Sequence, residues 1–333
     1  MEHKSATGLA FGKRIEGDRR VRLFVLAVAS LAPFVSHGHG DVLNDPPVSV
    51  ASAPEEVVVA APEPRYVAPT TRDRIGRVWA PVRINGQGPF RLVLDTGANH
   101  SAVIQSLATR IGAPVLESSP ARLHGVTGSS IVPTIRVDSM EVGDLWLDKP
   151  KLAVVEDVFG GAEGVLGGQG LADKRIHIDF RHDQISIRHS RGRVLSSGFV
   201  EVPVKVRYGH LLMFDVTLAG VRTRAMLDTG AQATIGNNSL RAALARRARR
   251  SEANSIIGVT LDVQHGETIA APPIEIGGVI IRGMRVTFGD IYIFDAWKMN
   301  NEPALLIGMD VIGLLDSLII DYKRKELHLR ARR

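Results

Sequence analysis

The sequence predicts an all-β chain made of two tandem lobes, each the image of the other about a pseudo-twofold axis. Three observations predict it. First, residues 90–98 (FRLVLDTGA) recur as 223–231 (TRAMLDTGA), with Asp95 and Asp228 separated by 133 positions. Second, more matches follow in order. Gly125-Val126-Thr127 matches Gly258-Val259-Thr260 at the same spacing of 133, and Val142-Gly143 matches Ile276-Gly277 at 134. Val165-Leu166-Gly167 matches Leu306-Ile307-Gly308 at 141, and His177-Ile178-Asp179 matches Ile319-Ile320-Asp321 at 142. A spacing that holds and then grows by small insertions is the mark of a duplicated unit. Third, short apolar runs alternate with glycine-bearing turns, and few stretches carry helical periodicity.

From the N-terminus, residues 23–35 (LFVLAVASLAPFV) form an uncharged apolar run of 13 residues after Arg19, Arg20 and Arg22. The run is shorter than the roughly 20 residues a spanning helix needs. Its length and basic flank fit the core of a secretory signal. Ser36 and Gly38, or Gly38 and Gly40, offer small residues for cleavage. An uncleaved anchor and a buried apolar element are the alternatives. Export to the periplasm or outside the cell is expected, with residues 1–41 as signal or anchor and 23–35 as a possible membrane tether. Residues 42–74 carry Pro46, Pro47, Pro54, Pro62, Pro64 and Pro69 in an Ala/Val/Glu background, the composition of an extended linker. Lobes are expected over 75–192 and 193–333.

In the first lobe, apolar runs 78–84 and 90–94 flank Asn85-Gly86-Gln87-Gly88, a strong hairpin signal. Runs 131–137, 152–155 and 176–187 continue the strand pattern, as do 202–206, 211–218 and 224–227 in the second lobe. Residues 239–250, with Leu240 and Leu244 four apart, predict a helix, and 105–111 predict its shorter partner. Trp79, Trp146 and Trp297 are expected in the core or lining a cleft.

Composition narrows the function. With 333 residues, 44% of them hydrophobic, the chain can bury two cores. It has no cysteine, which excludes a thiolate nucleophile, a disulfide framework and a cysteine zinc site. The net charge of +6 and pI near 9.8 invite a nucleic-acid reading. Much of the excess, however, is terminal (Arg19, Arg20, Arg22, Arg330, Arg332, Arg333) or lies in the run Arg246, Arg247, Arg249, Arg250. With aromatic residues at only 5%, no nucleic-acid partner is expected. Nucleophile-elbow, phosphate-loop and His-Glu-x-x-His patterns are missing. His177, Asp179, His182 and His189 read as solvated strand ends, and neither metal nor cofactor is expected.

The repeated Asp-Thr-Gly-Ala carries the chemistry. An apolar run before each Asp ends a buried strand, so the carboxylate emerges at a strand-to-turn junction. Thr can hydrogen-bond locally or across to a partner, and Gly lets another backbone approach while its N–H meets the carboxylate. Set face to face by pseudo-symmetry, Asp95 and Asp228 could not both ionise and would share one proton.

These motifs resemble those of the retropepsin-like aspartic proteases, specifically bacterial members with two units in one chain. The resemblance covers about 77–190 and 200–330. It implies two acid-protease β-barrel lobes and an aspartic endopeptidase that hydrolyses peptide bonds with a water activated between Asp95 and Asp228. Thr96, Gly97, Thr229 and Gly230 would support the catalytic loops. The segments 124–131 and 257–269 would be flaps over the cleft, with Gly125, Val126, Thr127, Gly258, Val259 and Thr260 against substrate. The implied partner is an extended peptide or protein, and the implied active unit is a monomer. The rival is a peptide-binding scaffold that kept the fold without turnover; a basic surface-binding protein is a third reading. One departure stands out: Asp310 follows Gly308 in the second unit, where the first has Gly168-Gln169 after Gly167.

Overall fold

Strand order carries the duplication into three dimensions. The computed structural model describes residues 76–116, 119–194, 197–245 and 251–332, with short strands at Leu23–Leu26, Ser30–Ala32 and Ala68–Pro69. The expected cleavage region 36–40, the linker apart from Ala68–Pro69, and the basic run 246–250 lie outside the described residues.

The first lobe orders its strands Leu145–Asp148, Ser139–Val142, Trp79–Ile84, Gln87–Leu94, Gly164–Leu166, Ala102–Ile104, Lys151–Val155, Thr134–Arg136. The second repeats that order with Val279–Ile281, Ile274–Ile276, Leu211–Leu218, Val221–Leu227, Ala304–Ile307, Ile235–Gly236, Arg285–Phe288, Val263–Ala270. In each lobe the strand leading to the Asp is flanked on both sides, so its last residues are apolar and fully buried. The hairpin before it turns where expected, with Asn85 (φ 51°) and Gly86 (φ 72°) both left-handed. That is the geometry of a two-residue turn matching the strand twist.

A third, six-stranded sheet joins the lobes. Lys174–Asp179 and Leu315–Asp321 pair antiparallel at its centre. Gln184–His189 and Glu326–Ala331 flank them, and Ala68–Pro69 and Val200–Pro203 form the edges. The run expected over 176–187 is thus two strands with a turn between. His177 Nε2 lies 2.7 Å from Ser317 Oγ in the facing strand, and His182 pairs with Asp179 at 2.9 Å in the turn.

Helices are few and short. The expected 105–111 segment is helical over Gln105–Arg110. Of the 239–250 segment, Asn238–Leu244 is helical, with Leu240 and Leu244 buried. Asn237 caps it by accepting from Leu240 N–H at 2.9 Å. The same side chain accepts from Ala304 N–H and donates to the Met299 and Glu302 carbonyls. A buried amide with all these bonds made is costly to remove. Asn237→Ala is expected to destabilise the protein by about 3 kcal/mol, read as a shifted midpoint in urea unfolding. Trp79 and Trp297 are buried as expected, but Trp146 is 60% exposed, because its strand lies at the edge of the sheet with its side chain on the outer face. Among the described residues no helix is long and apolar enough to cross a membrane.

Candidate active site

Each Asp leaves its strand into a loop held by matching bonds. The strand after each loop's far end, Gly164–Leu166 or Ala304–Ile307, runs parallel to the Asp-bearing strand. Its carbonyl receives the Asp amide: Asp95 N–H to Leu166 at 3.0 Å, Asp228 N–H to Ile307 at 3.0 Å. Gly167 and Gly308 then pass so close to the loop that a Cβ would sit 2.5 Å from His100 carbonyl atoms in one lobe and 2.7 Å from those of Ala233 in the other. Only glycine fits there, which is why the apolar-apolar-Gly element is present twice.

Inside each loop the carboxylate folds back onto its own backbone. Asp95 Oδ1 accepts from Gly97 N–H at 2.8 Å and Ala98 N–H at 3.0 Å. Asp228 Oδ1 accepts from Gly230 N–H at 2.9 Å and Ala231 N–H at 3.0 Å. The loops interlock through the threonines. Thr96 N–H donates to Thr229 Oγ1 and Thr229 N–H to Thr96 Oγ1, both at 3.1 Å. Each hydroxyl then donates across the axis, Thr96 to the Leu227 carbonyl at 2.8 Å and Thr229 to the Leu94 carbonyl at 2.6 Å. Residues 133 positions apart in sequence thereby meet.

Asp95 and Asp228 are both buried, and each alters the proton affinity of the other. Their outer oxygens, Oδ2 on each, have no protein hydrogen-bond partner. Burial raises the Asp95 pKa well above the ordinary carboxylate value, and the neighbouring Asp228 charge raises it further. Burial pushes Asp228 up to about 7, against the opposing pull of backbone N–H groups and Arg77. A raised carboxylate pKa means that the folded state holds a proton the unfolded chain has lost. The stability this contributes is full below the unfolded value and disappears as pH rises through about 7. Thermal midpoints are therefore expected to fall between about pH 4 and pH 7 more steeply in the wild type than in Asp228→Asn, measured by calorimetry across that range.

Three buried groups near the pair escaped the sequence reading. Arg77 is fully buried, with its guanidinium 5.9 Å from the Phe159 ring centre. Tyr322 is buried with no protein hydrogen-bond partner for its hydroxyl, and its pKa is raised by burial and by the nearby Asp95 charge. His210, from the second lobe, sets Nε2 3.1 Å from the Gly97 carbonyl in the first lobe's loop. Arg77 and His210 are 133 positions apart, the spacing of the two Asp residues. Extending the repeat register backwards from the motif would have found them.

The loop supports differ between lobes. Thr234 Oγ1 accepts from Gly308 N–H and donates to Asp310 at 2.7 Å. In the first lobe Ser101 Oγ accepts from Gly167 N–H at 3.1 Å, while buried Gln169 Oε1 has no partner.

The flap segments are hairpins. Ala121–His124 pairs with Ser129–Val132, and Ser251–Gly258 with Val263–Ala270. Gly125, Val126 and Thr127 occupy the first tip; Gly258 ends a strand of the second, with Val259 and Thr260 in its turn. The tips pack against each other, Gly125 against Val259 and Thr260. Val126 is buried in an apolar cluster of the second lobe that includes Met226, Ile293 and Phe294, and its carbonyl accepts from Ile293 N–H at 3.1 Å. His124 Nδ1 lies 2.6 Å from the Tyr292 hydroxyl. Among the described residues one group has metal-ligand spacing, Glu201, Glu326 and His328 on the interlobe sheet. Arg193 and Arg324 already neutralise its carboxylates, at 3.9 and 3.2 Å.

Two matched lobes, each presenting an Asp-Thr-Gly loop to a common axis beneath a hairpin, define the acid-protease class of fold. The aspartyl protease family pattern matches the chain twice, over residues 80–169 and 214–311, more than half of its length. The chain belongs to the retropepsin-like aspartyl proteases. No curated protein matches it.

Proposed function

We propose that the protein is an aspartic endopeptidase that cleaves extended peptides with a water activated between Asp95 and Asp228. The observation that carries the reading is the pair itself: inner oxygens tied to backbone N–H groups, outer oxygens free of protein partners, both carboxyls buried at the meeting point of the lobes.

A buried pair with raised affinity for protons holds one between them. The ionised carboxylate takes a proton from the water as its oxygen attacks the scissile carbonyl. The protonated carboxyl gives its proton to the carbonyl oxygen, giving a tetrahedral diol. The carboxyl that took the water's proton then passes it to the departing nitrogen, the C–N bond breaks, and a diol hydroxyl returns its proton to the pair, which regains its starting charge. No covalent intermediate is needed. Flap edges would hold the substrate by main-chain bonds, with side-chain pockets reading alternate residues.

Both halves of the pair sit in one chain, which supports a monomeric active unit, and the apolar run with its basic flank supports export. The test incubates the full chain with a library of uncharged extended peptides and maps new termini by mass spectrometry. Cleavage is expected to follow the monomer in size exclusion, to rise as Asp228 ionises towards pH about 7, and to fall only at higher pH, where Asp95 gives up the remaining proton. Peptide binding without new termini at any pH would favour the scaffold instead.

A further inference from the structure

The peptide group between Gly97 and Ala98 has a partner at each end. Its N–H, on Ala98, donates to Asp95 Oδ1 at 3.0 Å. Its carbonyl, on Gly97, faces His210 Nε2 at 3.1 Å. A side chain of the second lobe is thereby joined, through one peptide group, to the acidic oxygen of the first.

A tight hairpin puts His210 there. Tyr208 (φ 51°) and Gly209 (φ 78°) are both left-handed, and His210 N–H closes the turn on the Arg207 carbonyl at 3.2 Å. The residue is 2% exposed. Gly168 lies so near that a Cβ on it would sit 2.6 Å from the His210 Cβ, which pins the base of the side chain. The other ring nitrogen, Nδ1, lies 2.9 Å from the Tyr208 carbonyl. A neutral imidazole has one N–H for these two oxygens. Gly97 is buried and Tyr208 is exposed, so the Gly97 carbonyl has the greater need of a protein donor. The ring proton therefore belongs on Nε2.

We propose that His210 is a positioning residue for Asp95: its Nε2–H polarises the Gly97–Ala98 peptide group, which then donates more strongly to the inner oxygen of the carboxyl. Hydrogen bonds in series strengthen one another. A bond to an ionised carboxylate favours that form. The relay thus eases the ionisation of Asp95, against the burial and the Asp228 charge that oppose it. Besides Asp228, the titratable groups nearby are Tyr322, which feels the Asp95 charge, and His100, whose proton affinity His210 lowers. The effect on cleavage rests on the protease reading, whereas the relay itself does not.

The test makes two measurements on the full chain. Nitrogen-15 NMR of the histidine rings reads the wild type directly, with the His210 signals assigned by their loss in His210→Gln. The neutral ring is expected as the Nε2–H tautomer, and an Nδ1–H ring would overturn the proposal. Carbon-13 titration of the carboxyls then compares His210, His210→Leu and His210→Gln in an Asp228→Asn background, where Asp95 titrates without its coupled partner. Leucine fills the space with no donor, while the glutamine amide can still donate to the Gly97 carbonyl. The Asp95 midpoint is expected to rise by at least about 0.5 pH unit in His210→Leu and to stay within about 0.2 unit in His210→Gln. With Asp228 restored, His210→Leu should hold KM within about twofold while the high-pH limb of cleavage moves up with the Asp95 midpoint. An unmoved midpoint in His210→Leu would overturn the proposal. So would an equal shift in both variants, which would reduce His210 to packing. A midpoint that rises in His210→Leu alone, in a chain that cleaves no peptide, would keep the relay and remove the protease reading.

Discussion

Asp95→Asn and Asp228→Asn are each expected to lower peptide cleavage by at least about a thousandfold, at the upper end of what a positioned acid–base group contributes. The amide keeps the volume of the carboxyl and can still accept from Gly97 or Gly230 N–H, so the loop has no steric reason to move. It cannot, however, take a proton from water or return one. In Asp228→Asn, Asp95 is left without the neighbour whose charge raises its proton affinity; in Asp95→Asn, Asp228 loses the protonated neighbour that eases its ionisation. The two variants should be nearly equal in effect and far from additive, because the groups act as a unit. Cleavage assays with matched thermal midpoints check this. Turnover within tenfold of the wild type in either variant would refute the shared-proton mechanism, whatever the fold.

Thr96→Val and Thr229→Val carry the next largest effect, on stability first and activity with it. Valine fills the same space but can neither accept from the facing amide nor donate to the facing carbonyl. Each substitution leaves a buried N–H and a buried C=O without partners, which costs about 1–3 kcal/mol per group. A loss of about 2–4 kcal/mol per variant is expected, seen as a lower urea midpoint. Thr→Ser at either site keeps the hydroxyl and should lose less than about 1 kcal/mol. Because the four bonds all cross between lobes, the double Val variant should also loosen the pairing of the two Asp residues and lose activity beyond its fold stability. A double variant as stable as the wild type would show that the interlobe sheet and the flap contacts hold the lobes together without the threonine bonds.

How much of this was legible beforehand depends on how local the cause is. The Asn85-Gly86 turn needs nothing beyond its own residues, and it forms where the sequence places it. The duplication was legible because a repeat register needs no three-dimensional knowledge, and it correctly anticipated two lobes of one design. Segments whose shape is set by contacts from elsewhere were not legible. Tyr292–Ala296 forms a short helix that receives the tip of the first flap, a contact from another lobe that no window of sequence contains. The part of the expected 239–250 helix that is described forms over Asn238–Leu244, where Leu240 and Leu244 supply a buried face; residues 246–250 lie outside the described residues. At the site, the Asp, Thr and Gly residues announced themselves by recurring. Arg77 and His210 did not, because at the same register position one lobe has arginine and the other histidine, and a repeat search looks for likeness.

That mismatch has an evolutionary consequence. In a protease assembled from two identical chains, any substitution near the axis is written twice, and the two carboxyls see the same surroundings. Here Arg77 influences Asp228, while His210 reaches across to the loop of Asp95. Fusion into one gene has freed each half to drift, so selection can assign donor and acceptor roles to fixed partners instead of leaving them interchangeable.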